Sequence, residues 1–135
     1  MGIQWRDSLS IGVEAIDNQH KELLTRFDRL LNACESGQGI EELKKLMTFL
    51  EDYVHSHFND EEALQKLHRF PGYVEHHQQH LYFIGQIKAL REEVNREGVL
   101  VHNVIETNNL LLKWFLNHIS RVDAELGRFL ASKAA

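Results

Sequence analysis

Three interruptions limit what this chain can fold into. Gly37-Gln38-Gly39, Phe70-Pro71-Gly72 and Gly98 divide it into four long segments, and Pro71 is its only proline. Within each segment apolar residues recur every three or four positions, which places them on one face of an α-helix. The first segment carries Ile16, Leu23, Leu24, Phe27, Leu30, Leu31 and Cys34; the second Leu43, Leu46, Met47, Leu50, Val54, Phe58, Leu64 and Leu67. The third carries Tyr73, Phe83, Ile87, Leu90 and Val94, and the fourth Val101, Val104, Ile105, Leu111, Leu112, Phe115 and Ile119. Four amphipathic helices joined by short loops predict an all-α, antiparallel up-down-up-down four-helix bundle. The 135 residues suffice for one domain, taken as residues 1–135. Asp17 is the expected N-cap of the first helix. Trp5, Leu9, Ile11 and Val13, ahead of that helix, are expected to pack as an extended arm.

Some of the gaps in these stripes are filled by histidine, and the chain has nine. His20 shares a face with Ile16, Leu23 and Phe27. His57 and Glu61 continue the line of Leu50, Val54 and Leu64. On the third helix His76 and His80 alternate by three and four with Tyr73, Phe83 and Ile87. On the fourth, His118 follows Leu111 and Phe115 and precedes Val122. Five imidazoles and a carboxylate are thus directed at the axis of one small bundle. A lone buried histidine usually has a hydrogen-bond partner, but each unpaired buried polar group costs on the order of 1–3 kcal/mol. No Lys or Arg on the facing stripes can neutralise Glu61. Bound cations would satisfy all six groups together. Imidazole suits zinc, copper, iron and nickel, and carboxylates can bridge two ions. One structural zinc takes four ligands in all, so two metal ions are the better count.

Asp123 follows His118 by five positions, which in a regular α-helix rotates it about 140° away. The two can meet only if the fourth helix ends or bends between Ile119 and Val122. The remaining histidines, His55, His68, His77 and His102, lie off the inward lines and are expected in solvent. Glu62 is expected to be a surface acid.

The charge balance excludes other classes. The formal charge is −5, and no Lys/Arg cluster is dense enough to neutralise a run of phosphates, so no nucleic acid is expected as a partner. The longest apolar run, Leu81-Tyr82-Phe83-Ile84, falls far short of the ~20 residues of a membrane span, so no membrane is expected either. The N-terminus shows no signal peptide, and Gly2 is followed at the myristoylation position by Arg6. The one cysteine, Cys34, lies on an apolar stripe and reads as a core thiol. These features point to the cytoplasm.

His20 within Asp17-Asn18-Gln19-His20-Lys21, the run His57-Phe58-Asn59-Asp60-Glu61-Glu62, His76-x3-His80 and His118-Ile119-x3-Asp123 together resemble the hemerythrins, above all their single-domain bacterial type. The resemblance runs from Trp5 and Ile11-Gly12-Val13 through Phe70-Pro71-Gly72-Tyr73 to Leu126-Gly127-x-Phe129-Leu130. It implies a non-haem di-iron centre: two Fe ions that bind O2 reversibly. By the same resemblance His76, His80 and His118 hold one iron, while His20 and His57 hold the other and leave it an open position. Glu61 and Asp123 bridge the irons, with an oxo or hydroxo group as the third bridge. O2 would bind end-on at the open iron as hydroperoxide, the bridging hydroxide supplying the proton. Leu23, Phe58, Trp114 and Ile119 flank these ligands and are expected to wall the O2 pocket, withholding protons and water. All four also serve as ordinary core.

Reversible O2 carriage, storage or delivery is therefore the expected function, with any peroxidase or oxidase activity a weak side reaction. The rival is a di-iron enzyme handling O2, peroxide or nitric oxide. Ferritin-like di-iron enzymes pair Glu-x-x-His motifs, and no Glu here has His three residues later. No further acid or base is visibly placed at the site. A sensing role would work through a protein partner that the sequence does not identify. Zinc or manganese in place of iron is the last alternative.

Overall fold

The structure, a computed structural model, describes residues 5–134. The expectations for residues 1–4, including Gly2, lie outside it. Helices α1 (Glu14–Glu35), α2 (Ile40–Leu67), α3 (Tyr73–Asn95) and α4 (Val101–His118) pack in a ring, each against its two neighbours. A π-helical turn, Ile119–Asp123, joins α4 to α5 (Ala124–Ala134). The fold is the expected all-α bundle. Among the described residues no helix is long and apolar enough to cross a membrane.

The apolar periodicity determines which faces turn inward. Leu23, Phe27, Leu30, Met47, Leu50, Val54, Phe83, Ile87, Leu90, Val104 and Phe115 are buried in one continuous core, and Cys34 lies at its edge. Stripe residues at helix ends depart from this pattern. Leu67, the last residue of α2, is 75% exposed, and Val101, the first of α4, is 41% exposed. The loops close with few residues. Gly37, at φ 72°, lets the Gln38 N–H reach back to the Ala33 carbonyl (3.0 Å) and terminate α1.

Asp17 does not cap α1. The helix begins at Glu14, and Asp17 lies in its first turn, accepting from the Ser10 hydroxyl (2.5 Å) and the Ile11 N–H (2.9 Å). It ties down the N-terminal arm instead. That arm is not extended throughout, since Asp7–Leu9 forms a 3-10 turn. Its Ile11 is buried against α5, where a Cβ on Gly127 would lie 2.2 Å from the Ile11 carbonyl oxygen. Only glycine permits that approach.

Candidate metal centre

One end of the bundle axis is polar. His20 comes from α1, His57 and Glu61 from α2, His76 and His80 from α3, His118 from α4 and Asp123 from the π turn. Each is at most 3% exposed. Spacings of four put His57 with Glu61, and His76 with His80, one above the other on their helices. Asp123 reaches the same place through the π turn, where the Ala124 N–H bonds to the Ile119 carbonyl five residues back. Such a turn holds more residues than an α turn, so His118 and Asp123 share a face. The bend expected between Ile119 and Val122 is this widening.

The seven side chains form two groups that share their carboxylates. Glu61, His76, His80, His118 and Asp123 each bring a ligand atom within 4.8 Å of the others', and so do His20, His57, Glu61 and Asp123. Glu61 Oε1 lies 2.9 Å from His76 Nε2 and 3.1 Å from His80 Nε2, while its Oε2 lies 3.4 Å from His57 Nε2 and 3.7 Å from His20 Nε2. Asp123 divides its oxygens the same way. Oδ1 is 2.7 Å from His76 Nε2 and 3.1 Å from His118 Nε2, and Oδ2 is 3.1 Å from His20 Nε2.

Outer partners set the tautomers. His57 Nδ1 donates to Gln19 Oε1 (2.8 Å), and the Gln19 amide nitrogen donates to Asp60 (2.8 Å), which fixes the amide's orientation. His118 Nδ1 donates to Gln79 Oε1 (3.0 Å), and His80 Nδ1 to Glu62 Oε2 (2.7 Å). The Gln65 amide lies 3.0 Å from His76 Nδ1; its Oε1 has no other partner and can accept that N–H after a half-turn of the amide. With Nδ1 carrying the proton, a neutral ring turns its Nε2 lone pair inward. Wherever these rings are neutral, lone pairs of nitrogen and carboxylate oxygen face one another inside the buried centre. His20 Nε2, His57 Nε2, His80 Nε2, both Glu61 oxygens and Asp123 Oδ2 are buried without a hydrogen bond. These orphaned atoms fit cations, and the nitrogen–oxygen donor set suits iron or zinc.

The electrostatics agree. Burial pushes Glu61 and Asp123 towards the neutral acid, and the charge of Asp123 adds to this at Glu61, but the surrounding imidazoles outweigh it and hold both carboxyls well below their ordinary range. Burial lowers His20 and His76, yet Asp123 and Glu61 lift each to about 9. Burial prevails at His57, which falls to about 4. Two carboxylates in a dry pocket therefore attract positive charge.

Leu23, Phe58 and Ile119 are buried. Phe58 stacks on His80 (ring centroids 3.8 Å, planes at 4°) and borders His57 (5.6 Å). Trp114 lies on the three-histidine side, stacked on His118 at 4.9 Å. Phe115, expected as core but not as a neighbour of these rings, presents its edge to His20 (5.7 Å) and His57 (6.4 Å). Two expectations are corrected. Glu62 is not a surface acid: its side chain is 13% exposed and accepts from both His80 and His77. His77 is accordingly not free in solvent but held by Glu62 at 2.7 Å, whereas His68 and His102 are exposed and His55 partly so. Gln19, Gln65 and Gln79 were also missed. Gln19, Glu62 and Gln79 each adjoin a ligand candidate in sequence, which turns them towards the neighbouring helix.

Residues 11–130 match the family described as the Hemerythrin HHE cation binding domain. The chain is 32% identical over 120 residues to a bacteriohemerythrin of Pseudomonas paraeruginosa, covering 89% of this chain and 76% of that one. It is 23% identical over 119 residues to a myohemerythrin of Sipunculus nudus, covering 88% and 86%. A crystal structure of a hemerythrin variant superposes with a TM-score of 0.83 at 23% identity, covering 95% of this chain and 97% of that one.

Proposed function

This chain belongs to the hemerythrin family, and on that premise we propose that it binds O2 reversibly at a pair of iron ions inside the bundle. The observation that carries the reading is the sharing of both carboxylates between the two histidine groups. In this reading His76, His80 and His118 would hold one ion and His20 and His57 the other, with Glu61 and Asp123 shared between the two positions. Ferrous iron, when bound, supplies the electrons for reversible O2 binding, which imidazole and carboxylate alone cannot.

The chain's own residues do the rest. The two-histidine group offers one ligand fewer, so a small molecule has somewhere to bind. Phe58 and Phe115 border His57, and with the buried Leu23 and Ile119 they would exclude water there and bring no proton donor. Gln19 holds the His57 ring in the tautomer that a ligand needs. Trp114 covers the His118 ring on the other side. A site that binds without a spare acid or base favours return of O2 unchanged over turnover. The role is carriage, storage or delivery of O2. A cytoplasmic setting accords with the lone buried thiol of Cys34.

Metal analysis with visible spectra of the reduced protein, before and after air and again under argon, tests this. A pair of irons per chain and a band that comes and goes with O2 are expected. Colourless protein with a single zinc per chain, or a band that argon never removes, overturns the proposal.

A further inference from the structure

The outer hydrogen bonds pass around the bundle from each helix to the next, and they are not equivalent. Gln19 on α1 serves His57 on α2, Gln65 on α2 serves His76 on α3, and Gln79 on α3 serves His118 on α4. These three are neutral amides. His20 Nδ1 has no partner among the described residues. His80 alone is served by a carboxylate, that of Glu62 on α2.

We propose that Glu62, through Nδ1 of His80, makes the three-histidine position the tighter of two metal positions, the first to fill and the last to empty. The proposal rests on the two-ion reading above. Glu61 and Asp123 give one oxygen to each group, so they contribute equal negative charge to both positions. The asymmetry in charge comes from Glu62. A carboxylate on the outer nitrogen strengthens the ring as a donor and holds its tautomer. Its second oxygen accepts from His77 Nδ1 (2.7 Å), and Tyr73 stacks on His77 (5.6 Å, 13°), so the carboxylate is braced from both sides. Phe58 covers the face of His80, which keeps water from screening the charge. The same position also has the larger donor set, five residues against four. Glu62 acts through His80 and is a positioning residue.

The test uses the full chain loaded with Zn2+ and equilibrated against chelators of graded strength. Wild type should release its two ions in separate steps, and His57→Ala should lack only the easier one. Glu62→Gln keeps an acceptor for His80 but removes the charge. It should weaken the tighter step by about 10-fold or more and leave the easier step unchanged. Glu62→Asp, which keeps the charge, should recover part of the loss. Equal weakening of both steps by Glu62→Gln would mark a merely structural role and overturn the proposal, as would a Glu62→Gln profile matching wild type. Release of a single ion by wild type would instead overturn the two-ion reading, a distinguishable failure.

Discussion

Metal uptake at this site has to displace protons, and the count follows from the two carboxylates. Asp123 and Glu61 lift His20 and His76 to about 9 against burial, so both rings hold a second proton at neutral pH. A group titrating two units above the ambient pH is about 99% protonated, and a metal competes for its nitrogen at a penalty of about 100-fold. His76 belongs to one position and His20 to the other, so the apparent affinity of each position at pH 7 should lie about two powers of ten below its high-pH limit. Between pH 6.5 and 9 the logarithm of each affinity should rise with a slope of at least about one. His57, lowered to about 4, is already neutral and adds nothing. Adding Zn2+ at pH 7 to weakly buffered protein with an indicator dye measures the protons released. Calorimetry in buffers of different ionisation enthalpy gives the same count independently. At least about one proton is expected per ion, and two or more for the loaded pair, because, against burial, Glu61 and Glu62 raise His80 as well. Release of none, or an affinity flat from pH 6.5 to 9, would refute the claim that the carboxylates hold protons on His20 and His76.

The same shifts set the stability of the chain stripped of metal. His20 and His76, raised above 6.5, stabilise the fold fully below that pH, and their contribution is lost as pH rises towards 9. Glu61 and Asp123, held low, stabilise it above their ordinary values of 4.5 and 3.8, and that contribution is lost as pH falls below them. Urea melts should therefore show the stripped chain weaker at pH 9 than at 6.5, and weaker again in acid. Gly127→Ala places a methyl group where the Ile11 carbonyl lies and should cost about 1–3 kcal/mol, with faster amide exchange at Ile11. Phe58→Ala should cost about 3–5 kcal/mol in the loaded protein, measured by denaturant unfolding, because it opens a cavity against His80. His57→Ala should abolish O2 binding while His102→Ala, on an exposed ring, leaves it intact; oxygen titration separates the two.

Helical phase made the bundle and most of the cluster legible. His20, His57, Glu61, His76, His80 and His118 interrupt apolar stripes, and a polar group in a stripe is improbable unless something satisfies it. Asp123 was different. Regular geometry turns it away from His118, and only the family resemblance brought it in. No residue from Ile119 to Asp123 announces a π turn, because the turn's cost is met by the tertiary contact it makes. The stripes also extend too far at Leu67 and Val101, where periodicity continues to the exposed terminus of the helix.

The outer partners were illegible for a related reason. A residue one position from an inward ligand is rotated by about 100°, towards the seam with the next helix. Polar residues are ordinary there, so Glu62 reads as a surface acid, and Gln19 and Gln79 give no signal of their own. Their role depends on register between helices. Gln19 must lie level with His57, Glu62 with His80, and Gln79 with His118. Each helix thus orients a histidine of the helix that follows it, and the chain of dependence stops at His20, which leans on Asp123 Oδ2 at 3.1 Å. The ligand set is therefore specified helix by helix, while its orientation is specified by packing. A substitution that shifts α2 against α3 by one turn would keep His57 and Glu61 facing inward, yet it would strip His80 and His76 of the groups that fix their tautomers. Metal affinity should be lost before the fold is, because the apolar half of the core tolerates repacking and the hydrogen-bonded ring does not.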